Sequence, residues 1–249
     1  MLQAPLTGSQ EMNGASRLLP LDRFSGSLGQ RVHQSLQQAI LTLTYRPGEI
    51  IRKPEICERL GVSRSPVADA VARLAADGLV DVVPQAGTFV TRLSMTDIRE
   101  GAFIREAIET AAAERVAAMI TDDQLRDLRR SLVLQEALVD DGDSQGFMLL
   151  DGQMHEMMLS FTGFPRLPQV SQTAWLSVHR ARQFILPVPG RLETTLDEHR
   201  LILAAFEARD PQAARLAVQQ HLRQLLTYLQ PLERDRPDLF SPKDSHDPA

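Results

Sequence analysis

Asp151, His155, His199 and His221 are the residues of this 249-residue chain whose types and spacing could do chemistry together. Asp151 and His155 stand four apart, so a helix would present both on one face. His199 follows the acidic pair Asp197-Glu198, and His221 lies in an Ala- and Leu-rich stretch of helical periodicity. Three imidazoles and one carboxylate suit a divalent transition metal, Zn, Ni, Fe or Mn, with one or two coordination positions left open. A lone histidine on an apolar helix is by default a core or surface imidazole; only the four together shift the reading. Catalysis is not indicated. His155-Glu156 could begin a zinc-protease helix, but position 159 is Leu where the second histidine is required. Nucleophile elbow, phosphate loop and dinucleotide fingerprint are all missing from the sequence.

The elements that must position these four residues are helical. Segments at about 95–119, 121–140, 144–161, 165–185, 192–208 and 211–229 follow one another, punctuated by Asp141-Gly142-Asp143, Thr162-Gly163, Pro187 to Gly190, and Asp210-Pro211. Six helices joined by short loops predict an antiparallel bundle over residues 95–231.

The chain ahead of them has a different pattern. Leu28, Val32, Leu36, Ile40 and Leu43 recur at helical spacing up to Arg46-Pro47-Gly48, and a second helix covers about 53–60. Gly61-Val62 makes a tight turn. Ser63-Arg64-Ser65-Pro66 opens a third helix with a hydroxyl cap and a first-turn proline, and Val67, Ala70, Val71, Leu74 and Ala75 form its inward stripe. Asp77-Gly78 ends that helix, and two β-rich runs, 79–83 and 88–91, flank Pro84-Gln85-Ala86-Gly87 as a hairpin. This order predicts a winged helix-turn-helix over 26–92, giving a mainly α chain with a DNA-binding module before a helical domain. Residues 1–25 and 232–249 lack periodicity and read as a mobile arm and tail.

Composition sets limits on the partners. No run of about 18 apolar residues exists and the N-terminus lacks a signal-peptide layout, so a cytoplasmic protein with no membrane partner is expected. Aromatics at 5% leave no stacking platform for single-stranded nucleic acid. The single cysteine, Cys57, reads as a small buried hydrophobe. Residues 1–92 hold 10 Lys+Arg against 8 Asp+Glu, net +2, while 93–249 hold 17 against 24, net −7. The acidic balance therefore belongs to the helical part and leaves the first module free to meet DNA.

The second helix of a helix-turn-helix places its N-terminal residues against base edges in the major groove. Here these are Ser63, Arg64 and Ser65. An arginine there can donate twice to guanine, and the hydroxyls suit phosphate oxygens. Arg73 lies further along, outside the apolar stripe, within reach of the backbone, and Gly87 lets the wing tip come close to it. The partner is double-stranded DNA.

The stretch Glu55 to Val90, EICERLGVSRSPVADAVARLAADGLVDVVPQAGTFV, resembles the N-terminal domain of GntR-superfamily transcriptional regulators. Asp151-x-x-x-His155, Glu198-His199, Gln220-His221-Leu222 and Arg105-x-x-x-Glu109 resemble the FCD class of that superfamily, FadR-like and of the six-helix VanR type. The resemblance covers about residues 26–230. It implies that Ser63, Arg64, Ser65, Arg73 and Gly87 face DNA, that the chain is a homodimer, and that the metal anchors an effector instead of catalysing a reaction. A small organic acid would take the open coordination positions, its other oxygens paired by Arg105, His179 or Arg182; the last two share a helix face with Trp175. For Arg105 an intrahelical salt bridge to Glu109 is the alternative, and for His179 and Arg182 a surface position. Sugar acids, hydroxy acids, dicarboxylates, amino acids and aromatic acids all remain open as effectors. The chain departs from the family at Ala68, Ala72 and Ala86, where basic residues are frequent, which implies weaker and less salt-sensitive DNA binding. It departs again at Phe164, where the class usually has asparagine.

Overall fold

A computed structural model describes residue 15 and residues 18–242, the side chains of 172–174 excepted. The chain divides into two compact units between Thr91 and Arg92.

In the first unit, α1 (Leu28–Leu41) starts at a capping box in which Ser27 and Gln30 satisfy each other's backbone N–H. Its Val32, Leu36 and Ile40 bury against Val67, Ala70, Val71 and Leu74 of α3 (Arg64–Ala76). Between them come β1 (Ile50–Ile51) and α2 (Lys53–Leu60). Gly61, at φ 64°, reverses the chain after α2, and the Val62 N–H donates back to the Cys57 carbonyl. β2 (Val80–Val83) and β3 (Gly87–Val90) form the hairpin. β1 adds to it in the antiparallel order β1-β3-β2, with Ile50 opposite Phe89. Two residues are too few for an alternating pattern, so this strand gave no sequence signal.

The second unit holds α4 (Met95–Met119), α5 (Asp122–Asp140), α6 (Ser144–Phe161), α7 (Leu167–Ile185), α8 (Arg191–Glu207) and α9 (Pro211–Asp235). Four of the six begin at a side-chain cap: Ser94, Thr121, Asp143 and Asp210 each accept a backbone N–H three residues on. α4 lies along α7 and α9, α8 packs on α5 and α9, and α5 packs on α6. Leu128, Phe147, Met154, Ile202 and Phe206 fill the main core.

Both ends depart from the expected arm and tail. Ala15 and Leu18 are buried in the first core, and the Leu19 carbonyl accepts from Ser35. At the other end α9 runs through Pro231 to Asp235, past the expected stop near Leu229. Leu239 and Phe240 then bury with Leu93, Ile98 and Val178, and backbone bonds Leu93 N–H to Leu239 O and Ser241 N–H to Leu93 O fasten the segment. The partners lie far away in sequence, so no local pattern announced them. Residues 1–14, 16–17 and 243–249 of the expected arm and tail lie outside the described residues. Among the described residues no helix is long and apolar enough to cross a membrane.

Candidate functional site

α6 carries Asp151 and His155 on one buried face, α8 brings His199 and α9 brings His221. One ligand atom from each of the four lies within 4.8 Å of all the others, and all four residues are buried. His155 Nε2 is 3.1 Å from His221 Nε2, His199 Nε2 is 3.4 Å from Asp151 Oδ1, and His155 Nε2 is 3.9 Å from Asp151 Oδ2.

A ring of acceptors holds the imidazoles from behind. Glu109 of α4 lies 2.6 Å from His155 Nδ1, Gln135 of α5 lies 2.7 Å from His199 Nδ1, and Glu198 of α8 lies 2.7 Å from His221 Nδ1. Each Nδ1 therefore donates, and each Nε2 faces the common centre, where a neutral ring offers its lone pair. Acceptors placed behind metal-binding histidines in this way orient the rings and raise their basicity.

The residues fit a divalent ion. With His155 and His221 neutral, two lone pairs face each other at 3.1 Å, a repulsive contact unless a cation lies between them. Asp151 Oδ1 and Oδ2 and His199 Nε2 are buried without any hydrogen-bond partner. Donor atoms about 2.1 Å from one ion sit roughly 3.0–3.4 Å apart, close to the two shorter spacings seen. Burial and the neighbouring His221 push His199 well below the ordinary imidazole range, and burial with His155 does the same to His221. Both are thus kept in the ligating form.

Arginines flank this centre. Arg182 Nη2 of α7 approaches Asp151 Oδ1 to 2.5 Å, out of line for a hydrogen bond, so charge holds the contact. Burial alone would raise the Asp151 carboxyl; Arg182 together with His155, His199 and His221 outweighs it and holds it far below the usual range. Arg105 makes the intrahelical pair with Glu109, at 2.7 and 3.4 Å, and lays its guanidinium 3.9 Å from the Trp175 ring centre. Against burial, that arginine helps to hold Glu109 at about 2. Arg105, Arg182, Arg191 and His221 line a cavity of about 30 Å³ whose other walls are Ile185, Leu186, Leu222 and Leu225. His179 is half-buried, its Nε2 sealed without a partner, and burial together with Arg182 lowers it to about 4. Arg182 is therefore not on the surface, and His179 only partly so.

Residues 28–90 match the bacterial regulatory proteins of the gntR family, and residues 100–224 match the FCD domain. The chain is 30% identical over 214 residues to the HTH-type transcriptional repressor RspR of Escherichia coli K12, covering 86% of this chain and 94% of that one. It belongs to the GntR family of regulators and carries an FCD domain. A probable D-xylose utilization operon transcriptional repressor of Paenarthrobacter nicotinovorans is 29% identical over 85% of this chain and 91% of its own length. Among solved structures, Escherichia coli McbR/YncC matches with a TM-score of 0.72 at 20% identity, covering 84% of this chain and 99% of that one, a likeness of fold.

The regulator's DNA-binding module sets out its candidate contacts plainly. Ser63, at the N-cap position of α3, and Arg64, Ser65 and Arg73 on it are all exposed, as are Ala68 and Ala72 of α3 and Ala86 of the wing turn, where the family often has basic groups. Ser63 does not cap α3 with its hydroxyl, contrary to expectation. The third helical position is Pro66, which has no N–H to offer, so the hydroxyl stays free for another partner. Cys57, half-buried, donates through its thiol to the Ser63 carbonyl instead. Gly87 has φ 132°, and a Cβ there would come 3.3 Å from Ile50 Cδ1, so this position beside the wing tip accepts no larger residue comfortably.

Sequence reasoning passed over Gln135 and Arg191. Gln135 carried a faint signal: it continues the inward stripe Leu125, Leu128, Leu132 of α5, where a polar residue needs a partner. Arg191 follows Gly190 at the start of α8 with nothing local to mark it. Phe164 lies under the Arg115 guanidinium, 4.6 Å from the ring centre, and only its backbone N–H makes a polar contact there, donating to Thr162 Oγ1 at 3.2 Å.

Proposed function

We propose that this regulator is a cytoplasmic, homodimeric repressor released from a palindromic operator when a small carboxylate binds at a metal site in its helical unit. The observation that carries this is the buried convergence of three Nε2 atoms and one carboxylate without hydrogen-bond partners of its own, beside an arginine-lined cavity. Asp151, His155, His199 and His221 would hold a divalent ion, Zn, Ni, Fe or Mn. Such an ion supplies a Lewis-acidic anchor for an oxygen ligand. Arg105 and Arg182 pair the ligand's remaining oxygens, and His179, neutral, borders them. On DNA, Arg64 reads a guanine, Ser63 and Ser65 meet phosphates, and Arg73 and the wing at Gly87 hold the backbone. Two symmetric copies read two half-sites, and effector binding shifts the population of dimer arrangements that span both.

The test uses an operator selected from a random-sequence pool and a carboxylate chosen by thermal shift on metal-loaded protein. The acid weakens operator binding by the wild type, and the response disappears in His199→Ala and His221→Ala. Variants that respond like the wild type would refute the metal-anchored reading.

A further inference from the structure

We infer that the effector is a compact dicarboxylate, its second carboxylate held by Arg105, Arg182 and Arg191; this rests on the metal-anchored reading above. All three arginines are buried and line the same cavity. Each is held by a carboxylate that also serves the metal cluster. Arg105 pairs with Glu109, which holds His155; Arg182 faces Asp151; Arg191 donates twice, at 2.7 and 3.0 Å, to Glu198, which holds His221.

Among these residues the three positive charges and the three negative charges cancel. The imidazoles add nothing, because a ring that donates from Nδ1 and ligates through Nε2 is neutral. A divalent ion then leaves an excess of two positive charges among buried groups. Uncompensated buried charge is costly, and a ligand with one negative charge removes only half of it. Two carboxylates neutralise the site.

The arginines have capacity for such a partner. Arg191 Nε is buried without a hydrogen-bond partner, and an ion that draws on the Asp151 carboxylate weakens that group's hold on Arg182. Size limits the carbon skeleton. The cavity of about 30 Å³ holds roughly one or two waters, and Ile185, Leu186, Leu222 and Leu225 close its apolar side. Any acid must move those walls to enter, and a skeleton of a few carbons moves them least, while a sugar acid or an aromatic acid moves them most.

The experiment compares racemic malate with racemic lactate, which share a 2-hydroxy acid head and differ by one carboxylate. Both are titrated calorimetrically into the full chain loaded with Ni²⁺ and into the chelated chain. Malate binds the loaded protein at least about tenfold more tightly than lactate, the effect of one added charge-assisted carboxylate pair. Arg191→Gln lowers malate affinity more than lactate affinity. Lactate binding as tightly as malate would overturn the dicarboxylate inference and leave the metal-anchored reading standing. Equal binding of either acid to loaded and chelated protein, or binding of neither, would overturn both. A malate preference undiminished in Arg191→Gln and Arg105→Gln would remove the second carboxylate from the arginines. The wild-type comparison decides the matter even if a variant fails to fold.

Discussion

Arg64 and His199 show how differently the two units carry function. Arg64 stands on the first turn of α3 in open solvent, on a scaffold that Val67, Ala70, Val71 and Leu74 hold from the other side. His199 is sealed between Gln135, Asp151 and two other imidazoles and stacks on Phe147 with ring centres 6.2 Å apart. In the first unit the candidate side-chain contacts Ser63, Arg64, Ser65 and Arg73 are exposed and contribute little to the packing of the fold. In the second, the candidate ligands and their partners come from every one of the six helices, so binding and stability are the same free energy. A change at the DNA face should therefore alter affinity alone, while a change at the buried cluster should alter both.

Metal removal gives the widest separation. An ion held at a thousand times its dissociation constant stabilises by about 4 kcal/mol, so chelation lowers the melting temperature of the helical unit by roughly 10 °C. His199→Ala should melt at the same temperature with and without metal. Calorimetry that found the wild type indifferent to chelation would merge the two units in this respect.

Arg64→Ala is the converse case. Operator affinity falls by about 1–3 kcal/mol, from about fivefold to somewhat over a hundredfold, with no change in melting temperature. Fluorescence anisotropy and a melting curve on the same sample check both halves. A variant that melts early would show that Arg64 also supports the fold.

Acid should act on the buried histidines of the helical unit. His199 and His221 stay neutral when folded because burial depresses them, while the same side chains in the unfolded chain take up protons near pH 6.5. Stability of the metal-free protein is thus fully present above that value and is lost as pH falls below it. Asp151 and Glu109 are held low and remain ionised through this range. Between pH 7.5 and 5.5 the loss is on the order of 1 kcal/mol per histidine. Denaturant titrations at the two pH values that coincide would show that the imidazoles are protonated in the fold.

The smallest effect probes the bare DNA face. Ala72→Arg adds one phosphate contact and raises the slope of log affinity against log salt by about one. A slope that does not move would place position 72 away from the backbone.

Local patterns carried much of both units. The periodicity of α4 to α9 and their caps lay within a few residues of one another, and the Asp151 and His155 spacing needed only one helix to interpret. Gln135 and Arg191 were less legible because their meaning comes from His199, 64 positions from one, and from Glu198 and the cavity beside the other. The final segment was misread for the same reason: Leu239 and Phe240 become core residues only through Leu93, far back in the chain.

By itself, then, the sequence determined the helix-turn-helix with its wing and the outward-facing Ser63, Arg64, Ser65 and Arg73. Those features depend on turns, caps and stripes spanning a few residues. Only the tertiary structure decided that side chains of α6, α8 and α9 converge on one centre, that Glu109, Gln135 and Glu198 turn their rings inward, and that three arginines share one cavity. The physical reason is that a buried polar group is set by whatever partner the packing brings to it, and helix packing joins residues that no local period relates.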